Sequence, residues 1–85
     1  MPKTSEAIED YAKAIYALSR EREGPVLNGD VAQRLGVAPA TATAMLQKLA
    51  ALGLVDYVPY RGATLTPAGE KVALEVIRHH RLLEA

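Results

Sequence analysis

The segment NGDVAQRLGVAPATATAMLQKLAALG, residues 28–53, runs without a break into LVDYVPYRGATLT and constrains the fold more than any other part of the chain. Val31, Ala32 and Leu35 form a short helical stripe that Asn28 can cap and that Gly36 can close in the left-handed conformation. After a turn of about four residues a second stripe begins, with a glycine in that turn, the arrangement of a helix-turn-helix. Pro39 fits its first turn, Ala42, Met45, Leu46 and Leu49 point inward, and Gly53 ends it. The period then changes: LVDYV (54–58) alternates as a strand, PYRG supplies a turn, and ATLT gives a second short strand.

On the N-terminal side, Ile8, Tyr11, Ala12, Ile15 and Leu18 recur at helical steps, with Thr4 or Ser5 as N-cap, until Gly24 and Pro25 break the pattern before Val26 and Leu27. On the C-terminal side, Thr66 caps a last helix from Pro67, whose apolar line runs through Val72, Ala73, Val76 and Ile77 to His80 and Leu83. The order helix, helix, helix, hairpin, helix predicts a mainly α winged helix-turn-helix: three helices, a two-stranded β wing and a C-terminal helix. At 85 residues this is one domain, 1–85, with a single small core.

Composition narrows the function. There is no cysteine, so disulfides and thiolate metal sites are excluded and a cytoplasmic setting is expected. No stretch has the pattern of a signal peptide or the apolar length of a membrane span, so neither secretion nor membrane insertion is expected. No nucleophile–base–acid set, phosphate-cradling glycine loop or paired buried carboxylates can be assembled, so enzyme activity is not expected. The formal net charge is zero, but residues 31–66 carry three basic side chains and one acidic, while residues 1–30 carry four and six. An anionic partner would meet the middle of the chain.

In a winged helix the third helix can enter the major groove while the hairpin leans on the sugar-phosphate backbone. The outer face of that helix holds Ala40, Thr41, Thr43, Ala44, Gln47 and Lys48. Its hydroxyls and lysine suit phosphates, its alanines suit thymine methyl groups, and few side chains are built for bidentate base contacts. The same face also reads as an ordinary solvent surface of good helix formers. Arg61 lies at the tip of PYRG beside Tyr60, where a cation and an aromatic can meet phosphates or a groove edge. His80 and Glu84 are four apart, so they project from one helix face and can share a metal ion. His80 also continues the apolar line, and spacing alone favours a packed core histidine with Glu84 solvated. Asp10 can add a ligand only if the first and last helices touch there.

The segments EDYAKAIYAL, DVAQRLGVAPATATAMLQKLAALGLVDYVPYRGATLTPAGEKVA and HHRLLE resemble, in unbroken order, the diphtheria toxin repressor family of metal-dependent bacterial repressors, including its iron and manganese regulators. The resemblance implies a transcriptional repressor that binds pseudo-palindromic operators in double-stranded DNA as a homodimer when a divalent transition metal is present. It implies metal ligation by Asp10, His80 and Glu84, and an aspartate at position 10 resembles the manganese-sensing branch, so manganese is favoured over iron. It also implies DNA contact from Ala38 to Ala44 and from Arg61; with the outer face of the third helix and Asn28 included, the expected DNA-binding set is Asn28, Ala38, Pro39, Ala40, Thr41, Thr43, Ala44, Gln47, Lys48 and Arg61. Lys13 stands where manganese regulators carry a further acidic ligand, and alanines replace more polar residues or proline at 38, 40 and 44. Residues 67–85 resemble the helix leading into a dimerisation and metal-binding domain, which is absent from these 85 residues and leaves the metal site incomplete. Two other functions fit the same fold: a protein-interaction module and a metal-independent DNA-binding regulator.

Overall fold

The structure, a computed structural model, describes residues 6–84, and the side chains of residues 6–78. Its elements are α1 (Glu6–Glu21), α2 (Asn28–Leu35), α3 (Pro39–Ala51), β1 (Val55–Val58), β2 (Gly62–Leu65) and α4 (Pro67–Glu84). This is the expected winged helix-turn-helix. Thr4 and Ser5, offered above as caps of the first helix, lie outside the described residues.

The helical period of α1 places Ile8, Tyr11, Ala12 and Ile15 on one buried face, and Ala14 is buried as well. α1 is the hub of the fold: it packs on α2, α3, α4 and β2. Val31 and Ala32 of α2, Ala42, Leu46 and Leu49 of α3, and Val55 and Ala63 of the wing complete one core around it. Met45 does not join the fully buried stripe of α3; it is half-buried and packs at the edge of the core.

α2 and α3 close in the same way. Gly36 and Gly53 have φ of 69° and 78°, a left-handed conformation open to residues without a Cβ. The next amide then turns back into the helix: Val37 N–H donates to the Ala32 carbonyl at 3.0 Å and Leu54 N–H to the Leu49 carbonyl at 2.9 Å. Val37 and Leu54 are thereby laid against the core. At its other end α2 departs from expectation, because Leu27, not Asn28, is the N-cap residue and makes no side-chain cap. The Asn28 side chain is drawn elsewhere.

β1 and β2 pair antiparallel in the register Val55↔Leu65, Asp56↔Thr64, Tyr57↔Ala63 and Val58↔Gly62. β1 is one residue shorter than LVDYV and β2 lies one residue earlier than ATLT: Leu54 is spent on closing α3, and Thr66 on starting α4. The hairpin is also not alone. Val26 and Ala63 exchange two backbone hydrogen bonds of 2.8 Å each, an isolated antiparallel bridge that ties the wing to the α1–α2 connection. Gly62 makes this approach feasible, since a Cβ there would stand 2.5 Å from the Val26 carbonyl oxygen.

Thr66 joins three elements at one point. Its hydroxyl accepts the Gly69 N–H at 3.1 Å, capping α4, and donates to the Gly53 carbonyl at 2.7 Å. Its own N–H donates to the Leu54 carbonyl at 3.0 Å. The wing, the end of α3 and the start of α4 are therefore fixed relative to one another. Two exposed ion pairs, Arg22–Asp30 at 3.2 Å and Arg34–Glu21 at 2.9 Å, link the α1 region to α2 and contribute about 0–1 kcal/mol each. Among the described residues no helix is long and apolar enough to cross a membrane.

Candidate nucleic-acid interface

α3 is held from beneath by Ala42, Leu46 and Leu49, all with no exposed surface. That inward stripe dictates what faces out. Ala40, Thr41, Ala44, Gln47 and Lys48 are exposed along the outer face, and Ala38 and Pro39 are exposed at its start. α3 contains no acidic side chain, so Lys48 in its last turn gives the face a net positive charge. Ala38 is extended (φ −67°, ψ 146°) and offers no side-chain cap, and Pro39 has no N–H. The amides of the first turn are thus open to an oxygen acceptor from outside.

Two of the expected DNA contacts engage each other. Asn28 Nδ2 donates to Thr43 Oγ1 at 2.6 Å, while Asn28 Oδ1 accepts the Gly29 N–H at 3.0 Å. The backbone donor fixes which end of the amide is which. Asn28 therefore acts as a strut from the first turn of α2 to the half-buried Thr43 of α3. One lone pair of the Thr43 oxygen is thereby taken, while its O–H and second lone pair remain.

The wing supplies the second part of the surface. Arg61 N–H closes a turn on the Val58 carbonyl at 3.0 Å. Pro59 sits at its second position and Tyr60 at its third with φ 68°, the signs of a type II turn. Glycine is the usual residue at that third position, and a tyrosine there costs about 1–2 kcal/mol. Tyr60 is fully exposed and the adjoining Arg61 is exposed, and among the described residues no hydrogen bond or ion pair engages the Arg61 or Lys48 side chain. The motif PYRG showed the turn, but not that Tyr60, with glycine two residues on, takes the left-handed conformation.

Of the expected metal ligands, only Asp10 has a described side chain. Asp10 is exposed on α1, at a depression of about 250 Å³ that Lys13, Ala14, Ala17, Arg34 and Leu35 also line. Of the two cations in that lining, Arg34 is paired with Glu21. The His80 and Glu84 side chains lie outside the described residues. α1 and α4 pack on each other. Among the described residues no three histidine, cysteine or acidic side chains gather as a metal site.

Residues 3–63 match the family model described as iron dependent repressor, N-terminal DNA binding domain. The chain is 43% identical over 79 residues to the transcriptional regulator MntR of Escherichia coli O6:H1, covering 93% of this chain and 50% of that protein. It is 42% identical over 84 residues to the HTH-type transcriptional regulator MntR of Lysinibacillus sphaericus, covering 99% of this chain and 58% of that one. The chain thus spans about half the length of these curated relatives. Among solved structures, the crystal structure of ScaR with bound Zn2+ superposes with a TM-score of 0.77 at 35% identity, covering 91% of this chain and 35% of that one.

Proposed function

Because the chain belongs to the iron-dependent repressor family, whose N-terminal DNA-binding domain it matches over residues 3–63, we propose that it is the DNA-reading module of a metal-responsive transcriptional repressor acting in the cytoplasm. The observation that carries this reading is the acid-free outer face of α3, pinned by three fully buried side chains in one rigid unit with the wing. In this reading α3 enters the major groove, with Ala40 and Ala44 against thymine methyl groups and Thr41, Gln47 and Lys48 toward base edges and phosphates. Ala38 and Pro39 bring the open start of the helix to the backbone, Arg61 meets it from the wing, and the Asn28–Thr43 strut sets the angle of α3. Two copies on a pseudo-palindromic operator would place two such helices about one DNA turn apart.

Residues 1–85 are then the winged-helix DNA-binding domain, and α4 is the helix that couples it to a dimerisation and metal-binding domain of the kind the resemblance implies. Asp10, His80 and Glu84 would hold a divalent metal, manganese in preference to iron in keeping with the aspartate at position 10. The packing of α1 on α4 supports this assignment, as does the four-residue spacing of His80 and Glu84. The regulators named MntR and the Zn2+-bound ScaR point the same way. When bound, the ion would supply a fixed link between α1 and α4, held by one histidine and two carboxylates of this chain.

Fluorescence anisotropy of the chain against an inverted-repeat duplex and a scrambled one, at two salt concentrations, with and without manganese, tests both parts. Salt-sensitive binding is expected, and Lys48→Ala should weaken it on both duplexes and lower the salt slope by about 1. Binding that ignores salt, or is absent, would sink the DNA reading. If DNA binds but manganese changes neither affinity nor thermal stability, the metal assignment fails alone.

A further inference from the structure

The wing tip contains a conformation that the fold itself does not use. Tyr60 is the only non-glycine residue with positive φ among the described residues, at 68°, and its side chain is wholly in solvent. Glycine or asparagine would hold this turn position with less strain, and an exposed ring repays none of it by packing. The turn around it is nonetheless firm. Pro59 fixes one torsion, the Arg61 N–H closes on Val58, and Gly62 and Ala63 are held against Val26. An aromatic kept strained and exposed on a rigid support is preorganised to meet something outside the chain. The neighbouring Arg61 is exposed and without an ion-pair partner among the described residues, which selects an anionic surface.

Resting on the DNA-binding reading above, we propose that Tyr60 is a positioning contact of the wing with the DNA backbone. Its ring packs on a deoxyribose and its hydroxyl donates to the adjoining phosphate, which Arg61 neutralises. Such a contact sets the register of α3 in the groove and reads no base. It separates three quantities that usually move together: fold stability, affinity and salt dependence. Removing the ring should weaken binding without unfolding the wing. Because tyrosine is uncharged, it should leave the salt slope where it was.

The test compares the 85-residue chain with Tyr60→Ala, Tyr60→Gly and Tyr60→Phe by thermal unfolding and by anisotropy on the inverted-repeat and scrambled duplexes. Alanine and glycine should each weaken both duplexes about five- to tenfold, the loss of roughly one hydrogen bond and its packing, with the slope unchanged. Phenylalanine should fall between them and the parent. The alanine variant should melt with the parent, and the glycine variant at or above it, since it relieves the turn. Unchanged affinity in the alanine and glycine variants, while Lys48→Ala still weakens binding, overturns the role of Tyr60 and leaves the DNA reading standing. Unchanged affinity with an altered sedimentation mass also overturns it, making the tip a protein contact. A drop of several degrees in both variants overturns it by showing a structural role, and failure of the parent to bind either duplex overturns both readings together.

Discussion

Gly69 lies in the first turn of α4, where intrinsic helix preference favours alanine by about 1 kcal/mol. The structure reverses that sign. A Cβ at Gly69 would collide with the backbone carbonyl of Leu54, which cannot swing aside because it already accepts the Thr66 N–H. Gly69→Ala should therefore destabilise the chain by about 1–3 kcal/mol in urea unfolding, against the propensity scale. Tyr11 gives a second test at this scale. Burial pushes its phenol above the usual 10.0. A group whose folded value is raised contributes fully below its unfolded value and loses that contribution as pH rises through the folded one. Stability should thus fall as pH climbs past about 10, and Tyr11→Phe should lessen the fall in alkaline unfolding titrations. The Thr66 cap was legible in LTPAG, because a cap is a local pattern. The demand on Gly69 was not, because it comes from a carbonyl on another element.

At the level of elements, helices and hairpin were legible because each carries its own period, and the glycines that close α2 and α3 carry their own chemistry. What the period could not give is how a polar side chain divides its bonds. Asn28 reads as a helix cap, yet it reaches across to Thr43 and leaves the cap position to Leu27. The outer face of α3 could be read from its inward stripe, whereas the coupling beneath that face could not. Asn28→Ala and Thr43→Ala should each destabilise modestly, and the double variant should cost about 0.5–1.5 kcal/mol less than their sum, since both remove one shared bond. Chemical denaturation of the three variants measures this. Additive losses would mean that the strut contributes nothing to holding α3 on α2.

For the whole molecule, zero net charge means that the proposed attraction to DNA would be local to α3 and the wing and not a property of the entire surface. The tie between the wing and the α1–α2 connection rests on Val26, which as one of a lone apolar pair gave no period to read. Its bridge to Ala63 spans much of the chain and has a consequence for the order of assembly. A hairpin that could otherwise form by itself completes its hydrogen bonding only after the α1–α2 connection has docked, so wing and helices should fold as one cooperative unit. The amide hydrogens of Val26 and Ala63 should then exchange with deuterium only through global unfolding, at the rate of the innermost α1 amides. The edge that pairs with Val26 in the native state is, until that moment, an unsatisfied strand edge open to other chains, so the late closing of this one bridge marks where aggregation would begin during refolding.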